Sequence, residues 1–376
     1  MSGAVDRVRL SMPGARRKEA GRHGRKSPQG LPLPGRPVTM SDVAAAAGVA
    51  QSTVSRILND APAPISVSAE TRERVQAIAR DLGYSPHPIA RALRGAPTML
   101  LGAIVRDITD PFFAGAIEAL SVECKARGYS VVLGHARATE DEALAMTAVL
   151  EARQCDAIVL LGDFTAEHRL VADLRDGRAR VVGLWHGSER DRPFVTVGVD
   201  NHFGVQLAMT HLTSLGHRHI AYVGVRSLGD MQERESAYAR FMRAQGVDPE
   251  AGYIHKVENS VGSGVQALAG ILERTPDVTA IFAATDNIAM GLLHAAYERG
   301  LRIPDDLSVV GFDDIPMAAA SVPTLTTVQM PIAEIVARGV EYCIGEEVWS
   351  GEGPAPHELL TPRLIVRRST GAVSRS

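Results

Sequence analysis

From residue 98 onward, short uninterrupted apolar runs alternate with stretches of helical periodicity, and few architectures accommodate that order. Runs at 100–105, 131–133, 157–161, 181–184, 220–225, 279–283 and 308–312 read as strands buried on both faces. Between them, helical stretches at 117–127, 205–215 and 288–299 end at Gly128, Gly216 and Gly300. Strands apolar on both faces need helices on both sides, which is the arrangement of a parallel α/β sheet. About 270 residues of this pattern exceed one open sheet, so two lobes are expected. Ligands of such sheets bind beyond the carboxyl ends of the strands. Those ends carry Arg106, Asp107, Asp110, Asp163, Asp286, Asp313 and Asp314, so the crevice should present acids and hydroxyls to a polyhydroxylated or cationic ligand.

A different pattern precedes it. Thr39-Met40-Ser41-Asp42 has the spacing of a capping box, in which the Thr hydroxyl caps the third helical amide and the Asp carboxylate favours the helix start. An Ala-rich helix then stops at Gly48, and a second helix spans 51–59. Ser68 caps a third, whose Val75, Ile78, Ala79 and Leu82 recur at helical spacing before Gly83. Three short helices with a tight glycine turn between the first two describe an all-α helix-turn-helix headpiece at 38–83. A linker at 84–97 follows, in which Pro86, Pro88 and Pro97 bracket a stretch too short to hold a helix alone in water.

Charge divides at the same place. Residues 1–97 hold 15 Lys and Arg against 7 Asp and Glu, whereas the whole 376-residue chain is net −3. A basic front on an acidic body points to a polyanion-binding head joined to a domain for another class of ligand. The first 37 residues, rich in Gly, Pro and Arg, read as a disordered basic tail, either a dispensable extension or an added DNA-binding arm. No apolar run reaches a membrane span or forms a secretory h-region. Cys124, Cys155 and Cys343 are too few and scattered for a disulfide framework, and a reducing, cytoplasmic setting is expected.

These residues resemble one family. The runs 38–59, 67–72, 82–86 and 90–93, then Asp110-Pro111-Phe112-Phe113, Val199-Asp200-Asn201, 215–220, 311–314 and 364–370, are similar in order to the LacI/GalR bacterial repressors. The resemblance spans roughly residues 38–370 and implies the headpiece, a hinge helix, and a periplasmic-binding-protein-like core whose two lobes are joined by three crossings. On that basis the core at 98–370 divides into an amino-terminal lobe of 98–187 and 326–346 and a carboxyl-terminal lobe of 188–322 and 350–370, with a tail at 371–376. It also implies a homodimer on an inverted-repeat duplex DNA operator; the family's tetramerising heptad tail would follow the core, where this chain has six residues beyond Thr370.

Ser52 and Arg56 are four apart on one helix face with Gln51 beside them, a guanidinium and short hydrogen-bonders placed to read base edges. These three match the family's base-reading positions. Thr39, Thr53, Ser55, Asn59 and Thr71 match or adjoin its phosphate contacts, although Thr53 and Ser55 could simply face solvent. Ala50 stands where the family often has a phosphate-binding serine, and His87 where it usually has asparagine. Ala90 and Leu93 keep the hinge pattern, and the resemblance implies that Leu93 wedges into a minor-groove base step.

For the effector the resemblance implies Phe112 as a stacking aromatic, Arg234 as the pocket arginine and Asp313 as an acceptor of ligand hydroxyls. Asp163 and Asp286 lie at neighbouring strand ends, and Asn259 replaces an aromatic found in many members. No cofactor and no catalytic or metal-binding residue is expected. His217 and His219 near His211 have no further ligand to complete a tetrahedral set, and adjacent Asp313 and Asp314 should point opposite ways rather than flank one bond. The expectation is therefore a DNA-binding repressor controlled by a small molecule, most naturally a sugar or polyol. The competing class is a carbohydrate-binding protein or enzyme that merely carries a basic head.

Overall fold

A computed structural model of the chain describes residues 38–58, 67–84, 97–137, 139–152, 155–164, 180–187, 192–225, 229–345, 349 and 353–373. The chain divides into two compact units, Met1–His87 and Pro88–Ser376.

In the first unit, α1 (Met40–Ala47), α2 (Gln51–Leu58) and α3 (Ala69–Asp81) enclose a small core of Val43, Ala44, Ala47, Val54, Ile57, Val75 and Ala79. The capping box forms: Asp42 N donates to Thr39 Oγ1, and Thr39 N donates to Asp42 Oδ2 at 2.8 Å. Gly48 then turns left-handed at φ 66°, releasing the chain into α2, and Ser68 caps α3 through Thr71 N.

The second unit holds two six-stranded sheets. The first contains β1 (Leu100–Val105), β2 (Ser130–His135), β3 (Ala157–Leu161), β4 (Arg180–Leu184), β5 (Val195–Val199) and β11 (His357–Leu360), in the order β11-β5-β4-β3-β1-β2 and parallel throughout. Against it pack α4 (Pro111–Ala126), α5 (Glu140–Ala152) and α11 (Ile332–Ile344); α11 lies so close that a Cβ on Gly339 would overlap Leu184. The second contains β6 (Ile220–Val225), β7 (Ile254–Val257), β8 (Ala280–Ala283), β9 (Ser308–Asp313), β10 (Thr326–Gln329) and β12 (Arg363–Ile365), in the order β12-β10-β9-β8-β6-β7. Its helices are α6 (Asn201–Ser214), α7 (Gly229–Ala244), α8 (Val261–Arg274), α9 (Asp286–Glu298) and the short α10 (Pro316–Ala320). Only its edge pair β10–β12 is antiparallel.

The lobe boundaries expected from sequence need correction. Residues 195–199 lie in the first sheet and 326–329 in the second, while 357–360 return to the first. The chain therefore crosses between sheets around residues 200, 330 and 361, in all three cases later than expected. Sequence order does not say which sheet a short strand joins; pairing does, and β5 pairs β4 while β10 pairs β9. Two crossings run side by side, tied where Asp200 N donates to Leu360 O at 2.9 Å.

Candidate functional site

The headpiece face is built from α2. Val54 and Ile57 are buried and fix its inner side, which leaves Gln51 and Ser52 exposed and Thr53, Ser55 and Arg56 half-buried. Arg56 Nε donates to the Ser52 backbone O at 3.3 Å, so these two of the three base-reading candidates share a face as their spacing requires. Thr39 is the N-cap of α1, and Thr71 lies in the first turn of α3 with its Oγ1 accepting from Ser68 at 2.9 Å. Asn59, His87, Ala90 and Leu93 lie outside the described residues.

The crevice is assembled at strand ends. Arg106 follows β1, Asp163 follows β3, and Trp185 and His186 follow β4. Facing them from the second lobe are Asp230 and Arg234 on α7, Asn259 before α8, Asn287 on α9 and Asp313 at the end of β9. Phe112, in the first turn of α4, meets Trp185 edge to face at 5.1 Å and Phe113 at 5.2 Å, forming an aromatic wall. Trp185, Asp313 and Asp314 adopt positive φ (58°, 117° and 58°), an uncommon backbone state that costs about 1–3 kcal/mol where the residue is not glycine.

Arg234 is fully buried and is the crevice's central cation. Its Nε donates to Asn201 Oδ1 at 2.9 Å, its Nη1 donates to Ala284 O and to Asp313 Oδ1 at 3.3 Å, and its guanidinium lies 3.7 Å over the Phe312 ring. Asp230 stands between two arginines without hydrogen-bonding either, 3.8 Å from Arg106 Nη1 and 4.0 Å from Arg234 Nη2. Burial raises the Asp230 carboxyl above its ordinary range against the pull of Arg106 and Arg234, and burial likewise raises Asp313. Four buried polar atoms in this cluster have no hydrogen-bond partner among the described residues: Arg106 Nη1, Trp185 Nε1, Asp230 Oδ1 and Arg234 Nη2. Each costs about 1–3 kcal/mol unless a bound group meets it.

The remaining candidates divide. Asp163 Oδ2 accepts from Gly187 N at 2.9 Å and from Asp230 N at 3.2 Å, while Oδ1 meets His186 at 2.9 Å and Arg192 at 3.2 Å. Burial alone would raise this carboxyl; His186 and Arg192 outweigh it and lower it to about 2. Asn259 reaches across the crevice, its Nδ2 donating to Asp110 Oδ2 at 2.8 Å. Asp286 is directed away from the crevice: Oδ1 accepts from Thr327 Oγ1 at 2.6 Å and Oδ2 from Ile315 N at 2.9 Å, both within the second lobe. With both oxygens engaged and no exposed surface, it braces β10 and the chain after β9 rather than a ligand. Asp313 and Asp314 also diverge, Asp313 toward Arg234 and Asp314 toward Gln329 and Arg367, so they do not flank one bond.

Trp185, Asp230 and Asn287 escape a sequence-based selection of site residues, and Arg106 is legible only as a residue at a strand end, not as a ligand contact. The strand-end rule that picks out Asp163 applies equally to Arg106 and Trp185, which directly follow β1 and β4. Asp230 lies one helical turn before Arg234, on the same face.

Comparison with known proteins agrees with this geometry. A profile described as "Bacterial regulatory proteins, lacI family" matches residues 39–87, and a "Periplasmic binding protein-like domain" matches 209–370. Catabolite control protein A of Priestia megaterium is 30% identical over 344 residues, covering 89% of this chain and 99% of its own. The HTH-type transcriptional repressor CytR of Escherichia coli (strain K12) is 31% identical over 340 residues, covering 89% and 97%. Among solved structures, the Lac repressor dimer bound to operator and the anti-inducer ONPF superposes with a TM-score of 0.79 at 27% identity, covering 90% of this chain and all of that one. The transcriptional regulator CelR in complex with cellobiose gives 0.65 at 28%, covering 89% and 100%. With a helix-turn-helix headpiece, a two-lobed core and relatives matched over nearly their full length, the chain belongs to the LacI family and is a DNA-binding, ligand-responsive transcriptional regulator.

Proposed function

We propose that the chain is a repressor that binds an inverted-repeat operator as a homodimer, and that a sugar or related polyol held between the core lobes controls its operator affinity. The observation carrying the ligand class is the set Arg106, Asp230 and Arg234, whose unmatched donors approach the Asp230 carboxylate to within 4.0 Å from two sides, with Trp185 Nε1 a further unmatched donor on the first lobe. Adjacent ligand hydroxyls both donate and accept, so a single polyol can bridge the 3.8 Å and 4.0 Å gaps that Asp230 leaves on either side. Each arginine of the site already faces a carboxylate, Arg106 and Arg234 facing Asp230, Arg234 also Asp313, and Arg192 Asp163, so none is left over for a phosphate or carboxylate ligand. Phe112 and Trp185 add the apolar wall on which a sugar ring packs. Cellobiose in the CelR complex is a ligand of the same class in a related core.

The DNA-reading part rests on the exposed Gln51 and Ser52 beside Arg56. One headpiece reads only a few base pairs, so useful affinity requires two on one duplex, related by a two-fold axis. A thermal-shift screen of sugars, polyols and nucleobases tests the ligand class, because a compound that binds only the native state raises its melting temperature. The expected result is a sugar or polyol that raises the melting temperature and changes affinity for a selected operator without being consumed. A response confined to nucleobases, or turnover of the compound, would refute the proposal.

A further inference from the structure

The two lobes are joined by side chains as well as by the crossing segments. Asp110, the N-cap of α4 in the first lobe, accepts three hydrogen bonds. One comes from its own helix, Phe112 N at 3.0 Å; the other two cross to the second lobe, from Asn287 Nδ2 at 3.2 Å and Asn259 Nδ2 at 2.8 Å. Asn259 is itself oriented by Thr285, whose Oγ1 donates to Asn259 Oδ1 at 2.8 Å while capping α9. The amide of Asn259 therefore has its acceptor end fixed on the second lobe and its donor end aimed at the first. Elsewhere in the crevice, Asp163 of the first lobe accepts from Asp230 N of the second, and a Cβ on Gly187 would come within 2.9 Å of Gly229. The lobes are in backbone contact there.

We propose that Asp110, Asn259 and Asn287 form an interlobe latch through which the chain closes its own crevice, so that ligand reinforces closure rather than creating it. An ionised carboxylate only accepts hydrogen bonds, and Asp110 spends its capacity on donors from both lobes. When the lobes part, it keeps the Phe112 amide and loses the other two. The latch is specific to this arrangement of residues: an aromatic at position 259 would offer Asp110 no amide. It also has a functional consequence, because a ligand binding a conformation that is already populated gives up little affinity to conformational change. The inference does not depend on which small molecule the crevice accepts.

The test uses the full chain carrying Trp349→Phe, which leaves Trp185 as its only tryptophan. Trp185 is 3% exposed in the closed crevice, so acrylamide quenching of its fluorescence reports opening. At mildly alkaline pH and without ligand, Asn259→Asp sets a second carboxylate against Asp110, and the quenching constant should rise several-fold. Adding Asp110→Asn reverses the polarity of the pair: the new amide donates to the new carboxylate, and quenching should return close to the parental value. Asparagine caps a helix as well as aspartate does, so α4 is not the confounder. Asn287→Ala removes one donor without adding charge and should give an intermediate rise, with far-UV circular dichroism unchanged. Parental quenching in Asn259→Asp, or failure of the reversed pair to restore it, would overturn the latch. So would a rise accompanied by loss of helical signal.

Discussion

The headpiece and the crevice place polar side chains in opposite ways. In the headpiece the polar residues offered to a partner are exposed or half-buried on α2, while seven small apolar side chains hold three helices together beneath them. In the crevice the polar residues are themselves interior: Arg234 has no exposed surface, and Asp163, Asp230 and Asp313 are each at most 5% exposed. A headpiece contact residue can therefore be exchanged with little effect on folding, whereas a crevice residue serves as structure and recognition site at once. The difference reflects the partners. DNA meets a surface, but a small molecule must be enclosed, and enclosure requires buried groups that satisfy one another closely enough to fold without it.

The sharpest test is Arg234→Ala. Removing one partner from a buried, hydrogen-bonded ion pair costs about 3–5 kcal/mol, because Asp313, Asn201 Oδ1 and Ala284 O are left without their donor. Urea unfolding should show that loss, and at temperatures where the variant remains folded its operator affinity should no longer respond to the compound found in the screen. A stable variant that still responds would mean that the crevice tolerates change as the headpiece face does, and the contrast would fail.

Asp286 carries the same contrast into pH. Burial raises its carboxyl to about 7 from an ordinary 3.8, against the opposing hydrogen bonds from Thr327 and Ile315. Below the ordinary value both folded and unfolded chains hold the proton. As pH rises toward 7 the unfolded chain releases it first, so this group's contribution to stability falls, with a slope approaching about 1.4 kcal/mol for each pH unit between those two values. Asp286→Asn can donate to Thr327 Oγ1 and accept from Ile315 N, and it carries no charge to bury. Its stability relative to the parent should therefore increase as pH is raised from 4 to 7 in urea unfolding. A constant difference across that range would contradict it.

Legibility in the sequence follows the same division. The capping box, the Gly48 turn and the spacing of Ser52 and Arg56 are local relations among residues at most four apart, and they form as read. The strand ends are legible too, because uninterrupted apolar runs stop where polar residues begin. The assignment of β5, β10 and β11 to sheets is not: β5 and β10 pair with the strand just before them where the chain could equally have crossed over, and β11 pairs with β5 from far along the chain. Asp286 shows the limit most clearly. A carboxylate at a strand end reads as facing the ligand, yet Thr327, 41 residues onward, captures one of its oxygens. Asp230 is hidden for the converse reason: only the approach of β1 brings Arg106 near it and marks it as part of the site.

The headpiece offers the matching perturbation of a core. Ile57 is 3% exposed within a seven-residue apolar cluster, and Ile57→Ala should cost about 2–5 kcal/mol. A three-helix unit of this size has little stability to spare, so operator binding should be lost. The core forms a separate compact unit, and the melting-temperature shift produced by its ligand should persist. Loss of both in one variant would show that the two units fold as one.

The smallest expected effect is the most diagnostic of what the headpiece reads. Arg56 is half-buried, with its guanidinium held against α2 by the bond from Nε to Ser52 O, and Val54 and Ile57 on the opposite side are unaffected by its removal. Arg56→Ala should therefore leave the unfolding transition within about 0.5 kcal/mol, as for an ordinary surface substitution. Its effect should appear in specificity instead: a bidentate contact to a guanine edge is worth about 1–3 kcal/mol at one base pair. Selection of binding sites from a random pool should thus return the parental motif with one position relaxed in each half-site. A phosphate contact would behave differently, lowering affinity for all sequences alike and reducing the salt dependence of binding. If the variant selects the parental motif unchanged, Arg56 positions the headpiece without reading bases, and the sequence preference must come from Gln51, Ser52 or the hinge.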